Sequence, residues 1–133
     1  MDTRTGERMK LKELADNLEM AADEFLELIG LFLEASASDL KQWQSGIVEG
    51  DGKKVMIAAH SIKGAAVNLG LVEIFEVAKK TEMEARENNL NGATLAARAI
   101  REKMDEIAED LLNAESSKLK AEGCKQETDL RTG

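Results

Sequence analysis

An all-α fold is what this sequence predicts, and three observations predict it. No proline occurs anywhere in the 133 residues. Strong helix formers fill nearly every window, whereas aromatic residues number three Phe, one Trp and no Tyr. Apolar residues also recur three and four positions apart over long stretches, the period of an amphipathic helix. Four substantial helices with short connections imply an antiparallel up-down-up-down four-helix bundle, and a short N-terminal helix is expected to cap one end.

Residues 1–8 are polar and are expected to be a flexible N-terminus. "MKLKELADNL", about 9–18, reads as the short amphipathic capping helix. From about 21 to 48 runs a long helix with Phe25, Leu28, Phe32, Leu40, Trp43 and Ile47 on its apolar side. "EGDG" at 49–52 is a turn, with Asp51 as N-cap of a further helix. That helix, about 53–69, stops at "NLGL". Gly70 suits the left-handed position after a helix, and Leu71 supplies the apolar contact that goes with such a stop. A helix over about 72–88 carries Ile74, Ala78, Thr81 and Ala85, and "ENNLNG" turns the chain again, with Asn89 or Asn91 as cap. The last helix, about 91–115, repeats Ala93, Ala97, Ile100, Met104, Ile107 and Leu111 as one inward stripe. Residues 9–115 thus make the domain. Residues 116–133 lose the apolar rhythm and are expected to be a disordered polar tail.

Charge and cysteine usage narrow the function classes. A net charge of −8 argues against nucleic acid as a partner and against docking on anionic membranes. The opening residues lack the apolar run of a signal peptide, and no segment reaches the roughly 18 apolar residues of a membrane span. One Cys (Cys124) and one His exclude an internal disulfide and a zinc site. A cytoplasmic protein, monomeric in the simplest reading, is the expectation.

The sole histidine, His60, lies in "AAHSIKGAAVNLG", residues 58–70. A helix advances about 100° per residue. On that wheel Val55, Ala58, Ile62, Ala65 and Leu69 form a stripe whose centre is roughly opposite His60. The imidazole therefore points outward, with Lys53, Met56, Lys63, Gly64 and Val67 within about 60° of it and Ile57 at the edge. Met56, Ile57 and Val67 would make an exposed apolar rim. Gly64 in mid-helix costs on the order of 1 kcal/mol against Ala. Either a visiting protein approaches closely there, or a neighbouring helix packs against it; the sequence weighs the two evenly.

Lys63, three residues on, shares the face of His60. Its charge favours the neutral imidazole, the nucleophilic form, and would attract a phosphoryl group carried on the ring. If the helices before and after Gly70 pack antiparallel, residues whose numbers sum to about 141 lie side by side, so Glu82 is a candidate partner of His60. A carboxylate on one ring nitrogen fixes the tautomer and leaves the other nitrogen free.

These residues resemble the signature of histidine-containing phosphotransfer (HPt) domains of bacterial phosphorelays. In that family the histidine is followed by Lys at +3, Gly at +4, two small residues, and a second Gly near +10. His60, Lys63, Gly64, Ala65, Ala66 and Gly70 occupy those places. The likeness runs from about Leu11 to Leu112; Val67 and Asn68 fall at variable positions. It implies that His60 accepts a phosphoryl group, that Lys63 helps hold it, and that Gly64 admits the partner. It also implies a Gln or Glu near position 82 bonded to the histidine, and a partner contact at Arg86.

The implied partners are response-regulator receiver domains and a sensor or hybrid histidine kinase. The magnesium ion belongs to the receiver, and no cofactor belongs to this chain, which would be a phosphoryl carrier without kinase activity. Two alternatives stay open. One is a non-catalytic helical adaptor that docks without carrying phosphate; the other is the phospho-acceptor module of a chemotaxis-type kinase.

Overall fold

The structure is a computed structural model and describes residues 14–16 and 18–132, with side chains as far as residue 114. Four helices follow in order: α1 (Ala22–Glu49), α2 (Gly52–Asn68), α3 (Val72–Arg86) and α4 (Ala93–Thr132). Each packs on the next and α4 closes on α1, while diagonally opposed helices do not meet among the described residues. That is the up-down-up-down bundle. Of the predicted capping helix, residues 9–13 and Asn17 lie outside the described residues. Leu14–Asp16 are helical, and Leu14 and Ala15 are buried against the core.

Two turns use the same stop. After α1, Gly50 takes φ 68° while Asp51 N–H donates to Gly46 O (2.8 Å). After α2, Gly70 takes φ 74°, Gly70 N–H donates to Val67 O (3.2 Å) and Leu71 N–H to Ala66 O (2.9 Å). A left-handed glycine pairs the last orphan carbonyls at little strain, and the buried Leu71 closes the motif. Asp51 caps α2 as expected, its Oδ1 accepting from Lys54 N–H at 3.2 Å. Trp43, fully buried, donates its indole N–H to Ala93 O (3.0 Å) and so ties α1 to the start of α4. No helix among the described residues is long and apolar enough to cross a membrane.

Several sequence expectations shift. In α1 the inward line is Phe25, Ile29, Phe32, Ser36, Leu40, Trp43 and Gly46. Leu28 is exposed and Ile47 half-buried, because Ser36 and Gly46 belong to the seam although neither registers in a search for large apolar residues. In α2, Ala59 and Ala66 are buried and Ala65 is only half-buried. The last helix begins at Ala93, so neither Asn89 nor Asn91 caps it. Gly92 O accepts the Ala96 N–H instead (3.0 Å), and Asn89 Oδ1 accepts from Asn91 N–H (3.2 Å) within the turn. The helix also continues through the residues expected to be a disordered tail, to Thr132. Residues 116–132 lack apolar rhythm, but they contain no proline, and Lys, Leu, Glu, Gln, Arg and Ala, all good helix formers, recur through them, so intrinsic propensity allows continuation.

Candidate functional site

α2 and α3 lie close because small residues line both: Ala58, Ala59 and Ala66 on one, Ala78 and Ala85 on the other, all buried. That approach brings a side chain of α3 within reach of the outer face of α2. His60 stands outward there, its side chain 68% exposed. Its Nδ1 lies 2.9 Å from Glu82 Oε2, and the Glu82 side chain is only 7% exposed. Since a carboxylate accepts, this bond places the proton of the neutral imidazole on Nδ1, the tautomer in which Nε2 keeps its lone pair.

Glu82 holds more than the histidine. Lys63 Nζ is 2.7 Å from Oε1, and Arg86 Nη2 donates to Oε2 at 3.3 Å. Burial pushes the Glu82 carboxyl upward, but hydrogen bonds from Lys63 and His60, with the charge of Lys63 and that of His60 when its ring is protonated, outweigh it and hold the group below its ordinary value. A nearly buried acid is thus kept ionised by the side chains it orients. Lys63, expected on the face of the imidazole, has its ammonium bound to Glu82, a contact the sequence did not indicate. Arg86 is likewise turned onto Glu82, although its side chain is 63% exposed.

The rim is partly as expected. Ile57 and Val67 are exposed, whereas Met56 is half-buried and packs against the core. Gly64 decides a question the sequence left open. A Cβ built there would meet nothing within 4 Å, so no neighbouring helix requires the glycine. The space a side chain would take at Gly64, on the imidazole's face, is open, although the residue itself is half-buried.

One contact beside His60 was not anticipated. Ser61 Oγ donates to Asp39 Oδ2 of α1 at 2.7 Å. The signal for it was present: a turn centred on Gly50 pairs residues summing to about 100, as a turn near Gly70 pairs His60 with Glu82. Among the described residues no group of three or more His, Cys, Asp or Glu could hold a metal ion.

Residues 27–114 match the family model for the Hpt domain. The fold is also similar to a crystal structure of the histidine-containing phosphotransfer protein B (HptB) from Pseudomonas aeruginosa PAO1. That match has a TM-score of 0.69 and 24% sequence identity, over 78% of this chain and 90% of that one. No curated protein sequence matches the chain. Because the family model spans well over half the chain and covers both α3 and α2, the helix with the only histidine, this protein belongs to the Hpt domain family, the histidine phosphotransfer modules of two-component phosphorelays.

Proposed function

We propose that this protein relays a phosphoryl group through His60, taking it from the aspartate of a receiver domain or hybrid kinase and passing it to a response-regulator receiver. The observation that carries the reading is the bond from His60 Nδ1 to buried Glu82 at 2.9 Å beneath an imidazole that is 68% exposed. In the forward step Nε2 attacks phosphorus in line. The N–P bond forms as the P–O bond of the acyl phosphate breaks, and the departing electron pair returns to the donor's carboxylate. The Nδ1 proton stays on the ring, and Glu82 offsets the positive charge that develops there. In reverse, a second aspartate attacks phosphorus and the ring leaves as the neutral imidazole.

Nothing in this cycle needs a residue of this chain to act as acid or base, so catalysis rests on position and charge. Lys63, one turn from the ring, neutralises phosphoryl oxygens by leaving Glu82 in part. Gly64 admits the partner's loop, while Ile57, Val67 and the exposed edge of Met56 form the apolar contact around it, with Arg86 at the border. Magnesium is supplied by the receiver, and the protein acts as a cytoplasmic monomer.

His60→Gln tests the assignment. It is expected to abolish acid-labile, base-stable radiolabelling from a phosphorylated receiver while the circular dichroism of the bundle is unchanged. Retained label in that variant would place the phosphoryl group elsewhere.

A further inference from the structure

Two charged side chains close to His60 take no part in the Glu82 cluster. Lys53 is exposed, and of the three lysines of α2 it alone has no partner among the described residues, since Lys54 is bound to Glu49 and Lys63 to Glu82. It precedes His60 by seven residues, which is about 10 Å along the helix axis and roughly 20° around it. Seven residues beyond His60, on the same line, stands Val67, 54% exposed. Along α2 the docking face therefore runs from a cation through the imidazole to an apolar end.

Across α2 the face is also asymmetric. On the α3 side lie Lys63 and Arg86 around Glu82. On the α1 side lies Asp39, held by Ser61 Oγ at 2.7 Å. The asymmetry extends to whole helices, because α2 carries three lysines and no acid, whereas α1 carries six acids and one lysine. Turning a docked protein by half a revolution about His60 would exchange cation for apolar end and acid for cations, so the pattern accepts one orientation.

We propose that Lys53 and Asp39 fix the orientation in which a receiver-type partner docks over His60. The partner meets Lys53 with a carboxylate and Asp39 with a lysine or arginine. This rests on the reading of His60 as phospho-acceptor. Neither residue touches the phosphoryl group; both act at the rim, where charges govern encounter rate and its dependence on salt.

The test compares two donors on the intact chain. One is the panel of purified receiver domains from the same cell, carrying radiolabelled aspartyl phosphate. The other is potassium phosphoramidate, which has no docking surface. The variants are Lys53→Glu and Asp39→Lys, with the milder Lys53→Met and Asp39→Asn as checks that do not reverse charge; circular dichroism monitors folding. Each reversal is expected to lower the second-order transfer rate from the cognate receiver by about 3- to 10-fold at low salt, the neutral variants by less, with the differences fading above about 0.5 M salt. Phosphoramidate labelling should not change. Unchanged receiver transfer, a loss that persists at high salt, or a parallel loss with phosphoramidate would overturn the inference. Labelling of the wild-type chain by phosphoramidate but by no receiver would also overturn it, leaving the acceptor histidine intact. Absence of label from both donors would remove the phospho-acceptor reading itself, and the inference with it.

Discussion

Glu82 is the residue on which the site's geometry converges, since it accepts from His60, Lys63 and Arg86 at once. Glu82→Gln keeps an acceptor for Nδ1 but loses the charge, so receiver-dependent labelling should persist at a reduced rate. Glu82→Ala frees the ring to rotate and strands two cations, and a drop on the order of 10- to 100-fold in transfer rate is expected. Equal rates for Ala and Gln variants would mean that orientation by residue 82 does not matter. Ser36 makes a second prediction at this scale. It is buried at 1% exposure, and its Oγ has no hydrogen-bond partner among the described residues. Ser36→Ala removes a desolvated hydroxyl at almost constant volume, so unfolding free energy in urea should rise by about 1 kcal/mol.

At the scale of the element, α2 combines a seam of small residues with an open outer face. Gly64 lies on that outer face with space around it, and nothing in the fold uses its lack of a side chain. Gly64→Ala should therefore stabilise the bundle by about 0.5–1 kcal/mol through helix propensity, seen as a rise in Tm. The same variant should slow transfer from a receiver, because a methyl group now stands beside the imidazole. A stabilised variant with undiminished transfer would show that the open space at Gly64 serves no partner. Gly52 is the contrasting case: a Cβ there would run into Ala85 O at 2.6 Å, so this glycine answers to packing between α2 and the end of α3. Two mid-sequence glycines of similar appearance thus have opposite reasons, which only neighbouring helices could distinguish.

For the molecule as a whole, the buried ionised Glu82 makes stability depend on pH. Its carboxyl is held below the ordinary value in the folded state, against about 4.3 when unfolded. Its contribution is thus complete above the unfolded value and is lost as pH falls through the folded one. Glu49 adds in the same direction, held down by hydrogen bonds from Ser45 and Lys54 and by the charge of Lys54. Urea midpoints measured from pH 6 down to pH 3 should fall steeply below about 4.5 in the wild type and less steeply in Glu82→Gln. Superimposable acid limbs for the two proteins would show that Glu82 does not titrate with folding.

Local rules settle much of this protein. Helical class, the turns at residues 49–52 and 70, the Asp51 cap and the outward setting of His60 all stem from propensity, capping chemistry and the 3.6-residue period, which act over a few neighbouring residues. Hairpin arithmetic carried this as far as the His60–Glu82 pair. What tertiary structure decided were matters of which helix lies beside which and how closely: the burial of Ser36 and Gly46, the engagement of Lys63 and Arg86 by Glu82, the bond from Ser61 to Asp39, and the empty space at Gly64. Small residues carry no hydrophobic signal and long charged side chains reach in any direction. Their roles are therefore set by distances between helices, which a one-dimensional pattern does not contain.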